Sequence, residues 1–326
     1  MVQVTQPLYF PGLDLVKFVM AILIVAIHTS LFIEKPWLYS IISTINGFAV
    51  PTFFVVSSFI LFSKINDKKG VERKSIFKSA WKRQIIFYLV WYVLMLPMTY
   101  LTFFKIANWK EILYAFVFNS TFSGYWFIKS LIINTLILFF CDTKKKLWIC
   151  FFISLPVYLF FSYNKNFGFI SLPFSAYPCF YYNTAYFVIG SLLASYQVRN
   201  LYEMADNKFI SYGGIVLVAL LAFTPFNPFC KLIIPILLVI WGIGIKSKSP
   251  VFRSLRTMSI LLFVMQFFLI WVYNKIICGS LLQNESLVSF LSSSIIRFFI
   301  ILTTMLLISL AIIRLEKKYP ILKYLH

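Results

Sequence analysis

The sequence predicts an all-α, polytopic membrane protein with about ten transmembrane helices. Of its 326 residues, 61% are hydrophobic and 20% are aromatic, whereas ordinary globular domains are about 45–50% apolar. The apolar residues also fall in runs near the length of about 20 that a helix needs to cross a bilayer. No stretch between these runs is long enough for a soluble domain. We therefore expect one membrane domain over residues 1–326.

Ten apolar runs are the candidate spans. In chain order they lie near 13–33, 40–62, 84–104, 124–140, 147–163, 180–196, 209–225, 229–245, 257–277 and 289–313. The first run follows no basic n-region and precedes no cleavage site, so we interpret it as a retained helix and not as a signal peptide. The brief apolar stretch 109–122 is predicted to lie along the membrane interface.

The basic residues between the runs predict the orientation. They collect in the loop 63–83, in 143–146, in 246–256 and in the tail 314–326. The positive-inside rule places such segments in the cytoplasm, so we expect both termini there. The net charge of +20 is then explained by topology. No stacking platform or groove-reading motif accompanies it, and we expect no nucleic-acid binding.

The cysteine pattern argues against a metal centre or a disulfide framework. The chain has five cysteines, an odd number, and no two of them fall at metal-ligand spacing. We also find no internal repeat, which weakens the case for a secondary transporter.

Ionisable residues inside the apolar runs mark a candidate site, because charges in a membrane are costly and usually face a cavity or one another. Asp14, Lys17 and His28 belong to the first run. With a rise of 1.5 Å per residue, His28 lies about 16 Å from Lys17 along the helix. Lys129 and Arg297, counted from the ends of their own runs, are predicted at a similar depth to His28. The sequence thus predicts a buried polar site built from three helices.

His28 is the residue best suited to chemistry in this site. An imidazole titrates at about pH 6.5, so it can take a proton from a hydroxyl and return it to a leaving group. Each residue taken alone also has a structural interpretation. His28 could be a satisfied buried side chain, Lys17 and Lys129 could extend to the interface, and Arg297 could form an ion pair.

Five ordered segments resemble the acyltransferase-3 family of bacterial integral membrane acyltransferases, over nearly the whole chain. The first is a basic residue, ten residues and a histidine, met here by Lys17 and His28 within LDLVKFVMAILIVAIH. The others are AVPTFFVVSSF at 49–59, GYWFIKSLI at 124–132, YFVIGSLLA at 186–194 and RTMSILLFVMQFFLI at 256–270. Three features depart from the family pattern. The segment INGF before Pro51 lacks the usual arginine, and Gln266 stands where a histidine is frequent. A paired-arginine motif after the second span is matched only loosely, by Lys78, Lys82 and Arg83.

The resemblance implies an acyltransferase-3 type bundle in the bacterial cytoplasmic membrane. It would transfer an acetyl group from cytoplasmic acetyl-CoA to a sugar hydroxyl of a cell-surface polysaccharide or glycolipid, with no permanently bound cofactor. The residues expected to take part in catalysis are His28, Lys17, Asp14, Lys129 and Arg297. Those expected to hold acyl-CoA are Arg73, Lys78, Lys82 and Arg83. Those expected to contact the acceptor are Tyr125, Trp126, Gln266 and Ser57.

Two other classes of function stay open. A transporter or flippase would use the intramembrane charges as a path for a small substrate or a glycan. A scaffold in a glycan-synthesis complex would need no chemistry at all. Acceptor-dependent release of CoA separates the enzyme from both. This interpretation leaves two further partners open, a second copy of the chain and a glycan-synthesis protein.

Overall fold

The protein is described here from a computed structural model that covers residues 9–66, 68–101, 108–110, 125–167, 180–196, 198–278 and 285–325. Within these ranges every regular element is helical, which confirms the all-α prediction. The helices are α1 Pro11–His28, α2 Pro36–Asn46, α3 Ala49–Ile65, α4 Gly70–Leu94, α5 Leu96–Thr99, α6 Trp126–Phe139, α7 Lys144–Phe167, α8 Phe180–Ala194, α9 Val198–Asp206, α10 Gly214–Leu221, α11 Asn227–Gly244, α12 Val251–Cys278, α13 Glu285–Ser292 and α14 Ser294–Glu316. A π-helical turn, Phe209–Gly213, precedes α10, and a short 3₁₀ helix, Pro320–Leu325, follows α14.

Six described helical segments are long and apolar enough to cross a membrane. They are Pro11–His28, Pro36–Ile65, Lys144–Asn164, Asn227–Gly244, Val251–Ile276 and Ser294–Glu316. These segments fit a multi-pass membrane protein, but the predicted number of about ten is not confirmed. The stretch 109–122, predicted to lie at the interface, falls almost wholly outside the described residues.

Three of the expected spans are short as helices in this structure. The helices α6 and α8 have 14 and 15 residues, fewer than the about 20 that a perpendicular span requires. The predicted run 209–225 divides into the π-helical turn and the eight residues of α10. Hydropathy alone does not reveal such breaks, because apolar residues continue through them.

The helix α4 joins a predicted loop to a predicted span. It runs for 25 residues from Gly70 to Leu94 and so includes most of the basic segment 63–83. The prediction treated lysine and arginine there as loop residues, yet both are good helix formers. The helix ends three residues before Pro97, consistent with the backbone restrictions that proline imposes.

The helix α1 is the centre of the candidate site. It packs most extensively against α12 and also contacts α3, α11 and α14. Its approach to α11 depends on two glycines, since a Cβ on Gly12 would overlap the carbonyl oxygen of Gly242. Small residues let helix backbones approach closely inside a membrane. This contact fixes the N-terminal end of α1, where Asp14 and Lys17 lie.

Candidate functional site

A cavity of about 190 Å³ lies beside α1, at the end of the bundle that carries Lys64, Arg83 and Arg256, here called the basic end. Its polar lining comes from Lys17, Ser57, Arg83 and Gln84. Its apolar walls are Phe53, Phe87, Phe127, Ile128, Leu131, Ile260 and Phe263. The structure therefore brings together Lys17, Ser57 and Arg83, three residues that the sequence placed in different roles.

Lys17 lies in a crowded cationic environment. Arg256, Lys64 and Arg83 all repel its charge electrostatically, and Asp14 attracts it. Asp14 is buried, with 1% of its surface exposed, and forms a bidentate ion pair in which Arg256 Nε and Nη2 each donate to a carboxylate oxygen at 2.9 Å. The single carboxylate of Asp14 thus attracts two neighbouring cations, Arg256 and Lys17. The excess of positive charge suits an anion such as a phosphate group.

His28 is the last residue of α1, at the opposite end of the helix from this cavity. Its ring meets the ring of Phe267 on α12 edge-on, with centroids 4.5 Å apart. The side chain is exposed, and no hydrogen bond is described between it and the rest of the described chain. Its ring nitrogens are therefore available to an external hydroxyl, as proton transfer requires.

The backbone directly after His28 is held by α14. Arg297 Nε donates to the carbonyl oxygen of Thr29 at 3.1 Å, and Arg297 Nη2 donates to the same oxygen. Thr29 is the C-cap residue of α1. Cations are favourable beside the carbonyl end of a helix, so this guanidinium stabilises the turn that carries the histidine. Arg297 thus contacts the residue that follows His28 in the sequence, and it orients the backbone there.

A second polar contact links the same loop to the start of α14. Glu34 accepts hydrogen bonds from the backbone N–H of Ser294, at 2.6 Å, and from its hydroxyl, while the N–H of Phe32 donates to Ser294 Oγ at 3.0 Å. These hydrogen bonds hold the pKa of Glu34 below its usual value. A carboxylate is also favoured at the N-terminus of a helix. Glu34 therefore caps α14 from a distant part of the chain.

The loop after α1 adopts a strained backbone. Ser30 and Phe32 have φ angles of 53° and 66°, a region that bulky L-residues rarely occupy. Such outliers persist only where surrounding contacts determine them, and they cluster at functional sites. Here the contacts of Arg297, Glu34 and Ser294 hold the loop together with backbone hydrogen bonds within it.

The residues expected to contact the acceptor are distributed around α6 and α12. Tyr125 is buried and donates to the carbonyl oxygen of Val264 at 3.4 Å, and the ring of Trp126 packs 6.5 Å from that of Phe54. Both aromatic residues thus have structural contacts inside the bundle. Ser57 lies in the basic-end cavity described above.

Gln266 and Lys129 are the remaining residues of the predicted polar site. Gln266 is fully buried, and its Nε2 donates to the carbonyl oxygen of Phe263 at 2.9 Å, while its Oε1 has no hydrogen-bond partner among the described residues. It precedes Phe267, the residue that contacts His28. Lys129 is half-buried on α6, and the structure does not bring it into the contact between α14 and the end of α1.

The four residues expected to hold acyl-CoA are separated by the structure. Arg73 donates to the carbonyl oxygen of Cys141 at 3.0 Å and lies 4.9 Å from the ring centre of Phe77. Lys78 lines a different cavity, and Lys82 is exposed and lines neither. Of the four, Arg83 reaches the cavity that contains Lys17.

Three residues of this region were not indicated by the sequence: Arg256, Glu34 and Ser294. Arg256 and Asp14 are 242 positions apart, and Glu34 and Ser294 are 260 apart. The sequence does contain a signal for the first pair. Asp14 is a carboxylate inside an apolar run, and such a group needs a cation as its partner. Among the described residues no group of three His, Cys, Asp or Glu side chains is placed to hold a metal ion.

Comparison with known proteins agrees with the predicted resemblance. A curated relative from Enterococcus faecalis, named "Amino-acid racemase", is 24% identical over 304 residues, which cover 85% of this chain and 42% of that protein. The chain thus spans less than half the length of this relative. No solved structure matches. The model of the acyltransferase-3 family, described as an acyltransferase domain, matches residues 10–314, and the chain therefore belongs to the acyltransferase-3 family.

Proposed function

We propose that the protein is an O-acyltransferase of the bacterial cytoplasmic membrane, which transfers an acetyl group from acetyl-CoA to a sugar hydroxyl of a cell-surface polysaccharide or glycolipid. Membership of the acyltransferase-3 family supports the reaction class. The donor, the acceptor and the orientation, with the basic end in the cytoplasm, are parts of the proposal. The positive-inside rule supports this orientation.

The observation that carries the proposal is the position of the cavity and the histidine at opposite ends of one helix. Lys17 and Arg83 offer two cations to an anion beside a wall of aromatic rings. His28 lies about 16 Å further along α1. A donor that has phosphates at one end and a long, narrow thioester arm fits both requirements. Its phosphates would bind at the basic end, and its acetyl group would lie near the imidazole.

The proposed chemistry uses His28 as a general base. Its imidazole takes the proton from the sugar hydroxyl while the hydroxyl oxygen attacks the thioester carbonyl carbon. The tetrahedral intermediate then collapses, the carbon–sulfur bond breaks, and the CoA thiolate receives the proton from the imidazolium. Arg297 holds the end of α1, so that the ring keeps its direction through both proton transfers.

Acceptor-dependent release of CoA tests this function. The purified chain, reconstituted in vesicles with acetyl-labelled acetyl-CoA and a bacterial surface glycan, is expected to form free CoA thiol together with a base-labile ester on the glycan. Omission of the glycan should abolish most of the thiol release. Movement of a labelled glycan or small solute across the membrane without thiol release would favour the transporter alternative instead.

Replacement of Arg83 tests the position of the donor. Arg83→Ala is expected to raise the KM for acetyl-CoA about tenfold with little change in kcat, because a hydrogen bond to a charged phosphate is lost. High salt should produce a similar rise in the parent protein, since exposed charges are screened.

The neighbouring residue gives a matched control. Lys82 carries the same charge on the same helix but lines no described cavity. Lys82→Ala is therefore expected to leave the KM unchanged. Equal effects of the two substitutions would contradict a donor site at Arg83 and would indicate a general effect of the basic surface.

A further inference from the structure

A second cavity lies on another side of α4. It measures about 240 Å³ and shares no lining residue with the cavity at Lys17. It lies between α4 and α6 and is lined by Lys74, Phe77, Lys78, Trp81, Thr135, Leu136 and Phe139. The four α4 residues recur at i, i+3, i+4 and i+7, which is one stripe of an α-helix. Arg83, which lines the cavity at Lys17, falls on the opposite side of the helix from Lys74, so one basic helix serves two separate cavities.

The chemistry of the second cavity changes along its length. Lys74 and Lys78 lie in the first three turns of α4, and Trp81 lies about 10 Å beyond Lys74 along the axis. Trp81 is 37% exposed and Leu136, on the facing helix, is 44% exposed. Lysine side chains therefore border the cavity near the start of α4, and its walls are mostly apolar and include the partly exposed Trp81 and Leu136. A phospholipid combines the matching groups, a charged phosphate and apolar chains.

The positive charge of this cavity is not balanced by the nearby carboxylates. Glu72 pairs with Lys68 at 2.7 Å, and Asp142 pairs with Lys146 at 2.7 Å. In the part of the chain that the structure describes, no acidic side chain pairs with either lysine of the cavity. A phosphodiester would supply the missing negative charge.

We propose that this cavity binds an anionic phospholipid of the surrounding membrane. Its phosphate would lie between Lys74 and Lys78, and an acyl chain would follow Trp81 and Leu136. Basic pockets between helices at the cytoplasmic side of a membrane suit anionic headgroups in this way. The inference does not depend on the acyl-transfer reaction. It also gives Lys78 a role different from that of Arg83, with which the sequence grouped it.

Native mass spectrometry tests the proposal, with the purified chain in detergent titrated against phosphatidylglycerol. The double variant Lys74→Gln/Lys78→Gln is expected to bind this lipid about 25-fold more weakly, since a basic residue near the membrane surface is worth about fivefold in affinity. Phosphatidylcholine with the same acyl chains should bind weakly and equally to the parent and the variant. Both substituted side chains are exposed, so the variant should unfold at the parent's temperature.

The control removes the same amount of charge elsewhere. Lys145 and Lys248 are exposed and line neither cavity, so Lys145→Gln/Lys248→Gln is expected to keep the parent's affinity for phosphatidylglycerol. The proposal is overturned if Lys74→Gln/Lys78→Gln binds as the parent does, or if the control loses as much affinity. Displacement of phosphatidylglycerol by excess acetyl-CoA would also overturn it, because the cavity would then belong to the donor.

Discussion

His28→Gln is expected to lower the rate of acyl transfer by about 10²–10⁴-fold, the usual loss when a positioned general base is removed. Glutamine keeps a polar side chain of similar reach but cannot take up a proton. The geometry favours a chemical role over a structural one. The imidazole is exposed, touches Phe267 edge-on and forms no described hydrogen bond, whereas a structural buried histidine would have its nitrogens satisfied.

The measurement is the rate of glycan acetylation at saturating acetyl-CoA, with donor affinity measured separately. The affinity should remain that of the parent, because the donor site at Lys17 lies about 16 Å away along α1. Thermal unfolding in detergent should also be unchanged, since the substituted side chain is not part of the packed core. Near-normal transfer by His28→Gln would falsify the general-base assignment and would bring the transporter alternative forward.

Arg256→Gln is expected to destabilise the protein by about 3 kcal/mol, because the buried carboxylate of Asp14 loses its hydrogen-bonded partner and keeps only the nearby charge of Lys17. Asp14 is 1% exposed and would lose both hydrogen bonds of its bidentate pair. The expected value is at the low end of the usual range because the Arg256 side chain is 46% exposed, so water compensates part of the loss.

Two further variants separate this pair from a general charge effect. Arg253 lies one turn earlier on α12 and contacts the ring of Tyr9 at 5.8 Å, without an ion pair to Asp14 in the described structure. Arg253→Gln should therefore change the unfolding temperature little. Asp14→Asn combined with Arg256→Gln should recover part of the loss, as a double-mutant cycle detects. If Arg256→Gln and Arg253→Gln unfold alike, the ion pair contributes nothing to stability.

The features set by local pattern could be predicted from the sequence. The helical class followed from composition, and the family from ordered segments such as the Lys17–His28 spacing. The rise per residue of an α-helix was enough to predict that Arg297 and His28 lie at a similar depth. The segment 63–83 was misjudged because its charges were assigned to a loop. Once the segment is recognised as helical, the helical periodicity is enough to place Lys78 and Arg83 on different faces.

Contacts between distant parts of the chain could not be predicted. No local pattern specifies that Asp14 pairs with Arg256, or that Glu34 caps the helix that starts at Ser294. Both depend on how α12 and α14 pack around α1, and packing is set by side-chain shape across the bundle. For the same reason, the predicted depth of Lys129 did not show whether its side chain faces His28.

The pairing of the first helix with late ones has a consequence for biosynthesis. Asp14 and Arg256 are 242 positions apart, and a chain grows by about 5–20 residues per second. Arg256 is therefore synthesised on the order of 10–50 s after Asp14, and the carboxylate lacks its final partner during this interval. Lys17, one turn away and electrostatically attracted to it, can act as a temporary counterion during this interval. The first helix thus carries its own neutralising charge through insertion, and the same lysine is left for the anion site when the arginine arrives.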